Sequence, residues 1–188
     1  MPPLPPAEER SLHAVGAQRK VPPAPTSTEV VAILRDLAKG SSGLVAVLDA
    51  DAVAGERHLL SAWAHLGRSR ARGASRLRDR SAEFVLYVAG DDQLPRALAK
   101  VGVGETTSRF VVVAERPLEP EALFDRFGLA PDPTAYPRPV TAGTLERLGI
   151  SAAERAAVPP SSWEGLVLER VAMVDLIPGS GRGSTPKP

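Results

Sequence analysis

The chain contains no cysteine, few aromatic residues (4%) and almost no net charge, +1 from 23 basic and 22 acidic side chains. Without cysteine there is no disulfide framework, no thiolate metal site and no thiol nucleophile, and a reducing cytoplasm is the expected compartment. The charge balance excludes a protein that binds nucleic acid or anionic membrane through bulk charge. With so few aromatics the core must be assembled from Ala, Val and Leu. A hydrophobic fraction of 43% over 188 residues suffices for one such core. No apolar run approaches the ~20 residues of a membrane span, and Met1–Pro6 lacks the apolar stretch of a secretory leader. One soluble, intracellular domain is the expectation.

What is abundant is proline, and it is unevenly placed. Seven of the 19 prolines fall in the first 25 residues, three in the last eleven and four in Pro131–Pro139. Each removes a backbone donor and fixes φ. Residues 1–10 and 178–188 therefore read as disordered tails around one domain at 11–177, with Pro131–Pro139 as a surface loop.

Within the domain, strand-length apolar runs occur at Leu44–Leu48, Phe84–Ala89 and Phe110–Ala114, with a weaker one at Leu12–Ala17. Helical spacing separates them. Thr28–Leu37 aligns Val30, Ile33, Leu34 and Leu37, and Glu56–Arg70 aligns Leu59, Ala62, Trp63 and Leu66. Asp91 or Asp92 can cap a helix running to Val101, with Pro95 tolerated in its first turn. Glu119–Phe127 ends at Gly128, a C′ glycine. Short helices follow at Thr144–Leu148 and Ala152–Ala157, and after Pro159-Pro160 a last one at about Ser161–Leu176. The alternation predicts an α/β or α+β fold, a small mixed or antiparallel sheet packed by helices, with the strand order open.

Chemical motifs are sparse. Asp49-Ala-Asp51 ends a strand, where paired carboxylates serve either as metal ligands of a phosphohydrolase or as a turn and helix-capping pair. No downstream acidic cluster completes the first reading. His58 and His65 stand two turns apart on one helix, too far for a shared metal, so structural histidines are expected and no metal or cofactor is assigned. Gly102-Val-Gly104 lacks the rest of a dinucleotide fingerprint, and no phosphate-binding Gly-Lys-Ser/Thr occurs. The chain is not expected to be an enzyme.

Two features are unusual. Arg68, Arg70, Arg72, Arg76, Arg78 and Arg80 place six guanidinium groups in thirteen residues, opposed only by Asp79. If the segment is helical across Gly73, Arg68, Arg72, Arg76 and Arg80 share one face. Their mutual repulsion then calls for a bound anion, or the segment is simply a solvated arginine-rich face. In the last helix, apolar residues cover more than one stripe, so that helix is either central or carries a second face for a partner.

Three segments in order, Leu48–Ala62, Glu83–Gly102 and Leu166–Leu176, resemble the small non-catalytic subunit of the KEOPS complex, the archaeal relative of the PRPK-binding protein. The resemblance spans about Leu12 to Leu176. It rests on order and spacing, with no catalytic signature. It implies a compact α/β fold that binds the kinase-like ATPase subunit and, in archaeal members, the single-stranded acceptor end of tRNA. Such a subunit supports threonylcarbamoyladenosine modification that another subunit performs. A pure protein-interaction regulator of a kinase is the alternative. Gly90–Leu94 matches a family turn reading Gly-Glu/Gln-Arg-Gln-Ile, with Gly90 and Gln93 kept and Asp92 in place of the basic residue. The resemblance and the arginine run together assign tRNA contact to His58, Arg72, Arg76, Arg78, Gln93 and Arg96. Partner contact falls to Leu168, Ala172 and Met173, and a homodimer is compatible with the sequence.

Overall fold

The computed structural model describes residues 12–20, 43–116 and 128–177. The helices expected at Thr28–Leu37 and Glu119–Phe127, and both tails, lie outside these residues. Four strands, β1 (His13–Arg19), β2 (Val45–Asp49), β3 (Arg109–Ala114) and β4 (Leu129–Pro131), form one sheet in the order β2–β3–β1–β4. Every neighbouring pair is antiparallel, so the class is α+β. Alternation sorts the strands into two faces. Ala46 and Leu48 of β2 pair with Val113 and Val111 of β3, and all four belong to the main core. Val45, Val47, Phe110 and Val112 on the opposite face are buried too, which is why β2 and β3 are apolar throughout.

The helices are α1 (Glu56–Ala71), α2 (Arg80–Ala89), α3 (Leu94–Val101), α4 (Ala142–Arg147), α5 (Ala152–Ala156) and α6 (Trp163–Met173). The expected strand at Phe84–Ala89 is in fact the second half of α2. A short apolar run has no periodicity that separates a buried strand from a buried helix, and here the ends decide. Asp79 caps the helix by accepting from the Ala82 amide at 2.7 Å, and Gly90 closes it in the left-handed conformation at φ 59°. Every residue from Glu83 to Ala89 is buried, because α2 lies over the sheet and contacts α1, α3 and α6. Its N-terminus also reaches the sheet edge, where the Val45 amide donates to Ser81 Oγ at 3.1 Å. Gly90 has no room for a side chain: a Cβ there would meet Arg170 Cβ of α6 at 2.9 Å.

Helix α6 is not the central helix that its apolar content also allowed. Val167 and Val171, with Val174 just beyond the helix, face the core. On the other side Leu168 and Ala172 are half-buried, while Met173 and Leu176 are 47% and 73% exposed. Among the described residues no helix is long and apolar enough to cross a membrane.

Candidate nucleic-acid interface

The arginine run does not form one helical stripe. Helix α1 stops at Ala71, Arg72 is its C-cap, and Gly73 turns the chain at φ 68°. The Gly73 amide donates to Arg70 O at 3.0 Å and the Ala74 amide to Ser69 O at 2.9 Å. This is a Schellman closure, which puts glycine at C′. Arg76 and Arg78 consequently lie in a loop that ends at the Asp79 cap of α2.

Three of the six arginines are spent on holding this loop. Arg70 donates to the Leu77 and Arg78 carbonyls, each at 3.1 Å, and pairs with Glu83 at 3.1 Å. Glu83 is fully buried, and its other oxygen accepts from the Arg76 amide at 2.8 Å. The Arg76 guanidinium donates to Val174 O and, at 2.7 Å, to Ile177 O, clamping the turn that follows α6. Arg80 pairs with Glu115 at 3.0 Å and stacks over the Trp63 ring at 4.7 Å. Arg68, Arg72 and Arg78 are exposed. Arg76 thus moves from the expected contact set to the scaffold, while Arg72 and Arg78 remain in it.

His58 leaves the contact set altogether. It is 0% exposed, its Nδ1 accepts from the Ala54 amide at 3.1 Å, and its Nε2 donates to Val88 O at 2.9 Å. These partners require the neutral Nε2–H tautomer. Burial accordingly drives its pKa down from 6.5 to about 4, against the opposing pull of the Val88 carbonyl. The structural role expected of a histidine here is the one it has.

Gln93 and Arg96 are exposed but belong elsewhere. They follow the C-terminus of α2, whereas the arginine loop precedes its N-terminus, and a ten-residue helix is about 15 Å long. Arg96 is also neutralised in place. Its Nε donates to Asp91 at 3.0 Å and its Nη2 to Asp92 at 2.8 Å. Asp92, where the resembling family is basic, therefore acts as a partner for Arg96. Neither Asp91 nor Asp92 is the expected cap of α3: its N-cap is Gln93, which makes no side-chain cap bond, and Asp91 accepts from the Gln93 amide at 3.1 Å and pairs with Lys100 at 3.0 Å.

The carboxylate pair at the end of β2 is structural. Asp49 accepts from the Asp51 amide at 2.9 Å, capping the 3-10 turn Ala50–Ala52, and its other oxygen takes Thr107 Oγ1 at 2.9 Å and Arg147 at 2.8 Å. Asp51 pairs with Arg109 at 2.9 Å and with Arg138. Partial burial would raise the Asp51 pKa, but the two guanidiniums outweigh it and hold the carboxyl below its ordinary value. Both carboxylates are engaged by cations of the protein itself. Among the described residues no group of acidic and histidine side chains is placed to hold a metal ion.

Sequence reasoning missed a polar cluster beside the arginine loop. Asp175 accepts from Tyr87 Oη at 2.7 Å and lies 2.7 Å from His65 Nδ1. Burial would raise the Asp175 pKa, yet these hydrogen bonds hold it below its ordinary value, while burial and Asp175 push Tyr87 to about 12. Together with Ser69, Arg72 and Arg76, Tyr87 and Asp175 line a cavity of about 90 Å³. The sequence offered a signal only for the neighbouring Glu83, an acidic residue opening an apolar run, which demands cationic partners once buried. Which arginines would answer depended on the turn at Gly73. Compared with known proteins, the chain matches no family model and no curated protein.

Proposed function

We propose that the protein is an accessory, non-catalytic subunit of a KEOPS-type tRNA-modifying assembly. In this reading the exposed face of α6 docks on the kinase-like subunit, and Arg68, Arg72 and Arg78 meet the phosphates of the single-stranded acceptor end. The observation that supports it best is a junction. The apolar stripe Leu168, Ala172, Met173 and Leu176 runs into a turn that Arg76 ties to the loop bearing Arg72 and Arg78. One rigid corner thus presents an apolar surface and a local positive field side by side. With few aromatics to stack bases, guanidinium planes supply flat surfaces for them.

The test is binding of a tRNA, intact and with its acceptor end trimmed, to the full chain and to Arg72→Glu with Arg78→Glu. Both changes sit on exposed side chains, so folding is retained. Loss of two phosphate contacts weakens binding at low salt by about tenfold or more and flattens the salt dependence. Equal affinity of the variant, or of the trimmed tRNA, overturns the RNA part of the proposal. The engagement of Arg70, Arg76 and Arg80 within the fold favours a second reading, a protein-interaction regulator of a kinase that does not touch RNA. Under it trimming has no effect, while Met173→Asp with Leu176→Asp still abolishes partner binding.

A further inference from the structure

A second surface lies on β1, far in sequence from the arginine loop and independent of the reading above. Strand β4 pairs with β1 only over Ala17–Arg19. It stops there for a local reason. The turn that follows Pro131, where the Ala135 amide donates to Asp132 O at 3.1 Å, swings the chain across Gly16. Only glycine permits this, since a Cβ at residue 16 would lie 2.4 Å from Asp132 O and 2.7 Å from the Tyr136 amide nitrogen. The Asp132 amide bonds Gly16 O at 2.9 Å, so the backbone groups of Gly16 point away from β3. By the alternation of an antiparallel strand, the N–H and C=O of Ala14 point the same way. Among the described residues no strand pairs with them on that side.

This bare edge borders a cavity of about 300 Å³. Leu12–Val15 form one wall, Glu56, Leu59 and Leu60 of α1 the other, and Tyr136 lines it as well. Val15 and Leu60 are 39% and 38% exposed. Glu56 is an exposed carboxylate in the first turn of α1. Its neighbour Arg57 is engaged with Glu164 at 2.9 Å. A strand edge beside a helix, with a trough of mixed polar and apolar lining between them, is the geometry by which sheets accept an extended peptide. Nothing in Leu12–Val15 blocks it, for the segment has neither the proline nor the charge that usually guards such an edge.

We propose that this groove takes an extended segment of a partner protein, which adds to the sheet along β1. A lysine or arginine of that segment faces Glu56, and an aliphatic residue two positions away packs against Leu59 and Leu60. The spacing follows from geometry: Glu56 and Leu60 are one helical turn apart, about 5.4–6 Å, close to the roughly 6.8 Å between alternate residues of a strand. Charge decides between occupants, because the carboxylate selects a basic segment over an acidic one.

The probe is a short capped peptide with valine and lysine at alternate positions and serine between them, titrated into the full chain and followed by amide NMR. Two controls replace lysine by glutamate or methylate alternate backbone amides. The lysine peptide is expected to shift the Ala14 and neighbouring β1 amides and those of the first turn of α1. Glu56→Lys should weaken it about tenfold and make the glutamate peptide the better ligand. Methylation should abolish binding. Equal binding of the methylated peptide, shifts that map elsewhere, or no binding by any peptide overturns the proposal. So does a dimer formed through this edge by the protein alone, read by sedimentation.

Discussion

The buried neutral imidazole of His58 makes acid sensitivity the most exacting test of this structure. In the unfolded chain His58 titrates at about 6.5, and in the folded protein at about 4. Between those values the unfolded state binds one more proton than the native state, so stability rises with pH. The contribution is complete above pH 6.5 and is lost as pH falls towards 4. The slope in that window is about 1.4 kcal/mol per pH unit, which removes about 2.5 kcal/mol by pH 4.5. That is a large share of the ~5–15 kcal/mol that holds a typical domain together. Carboxylates held below their ordinary value of 3.8, such as Asp51, Asp91 and Asp175, lose their contribution only at lower pH. Urea unfolding from pH 7.5 to 4.5, followed by the fluorescence of Trp63 and Trp163, measures the slope directly. His58→Gln keeps a donor for Val88 but cannot take up the proton. The variant is less stable at pH 7.5 and its slope across the window is much reduced. A slope in the native protein under about 0.3 kcal/mol per pH unit would refute the reasoning, as would an equal slope in the variant.

The clamp at Arg76 predicts a contrast with its exposed neighbour. Arg76→Ala costs about 1–3 kcal/mol and speeds amide exchange across Val174–Ile177, whereas Arg72→Ala stays within about 0.5 kcal/mol. Removing Glu83 strands Arg70 and the Arg76 amide, so Glu83→Ala is expected to cost about 3–5 kcal/mol by urea unfolding. Gly90→Ala forces a positive φ on a residue with a Cβ and presses that Cβ on Arg170; a loss of about 1–3 kcal/mol is expected. A change under about 0.5 kcal/mol would mean that the close approach of α2 and α6 is not rigid.

Strands β2 and β3 were legible because their residues are unambiguous. Leu44–Leu48 and Phe110–Ala114 are fully apolar and rich in valine, and they became β2 and β3 within a residue or two. The α1 periodicity predicted the buried set Leu59, Ala62 and Leu66. Phe84–Ala89 failed because an all-apolar run is equally at home in a buried strand and a buried helix. The discriminating residues were its flanks, Asp79 and Gly90, at helix-compatible separation. The arginine face failed at one residue, Gly73, which the spacing rule passed over and the backbone used as a helix terminator.

Composition and local pattern by themselves determined that this chain has one Val- and Leu-rich core, where most of its elements begin and end, and that a cluster of arginines interrupts a near-neutral surface. These properties belong to single residues and their immediate neighbours. Which arginines are available to a partner was decided only in three dimensions, because a guanidinium is free or spent according to what the fold brings beside it. Glu83, Val174 and Ile177 claimed Arg70 and Arg76, Glu115 claimed Arg80, and Asp91 and Asp92 claimed Arg96. The exposed face of α6 and the edge of β1 at Ala14, unpaired among the described residues, were likewise decided by helix packing and strand pairing.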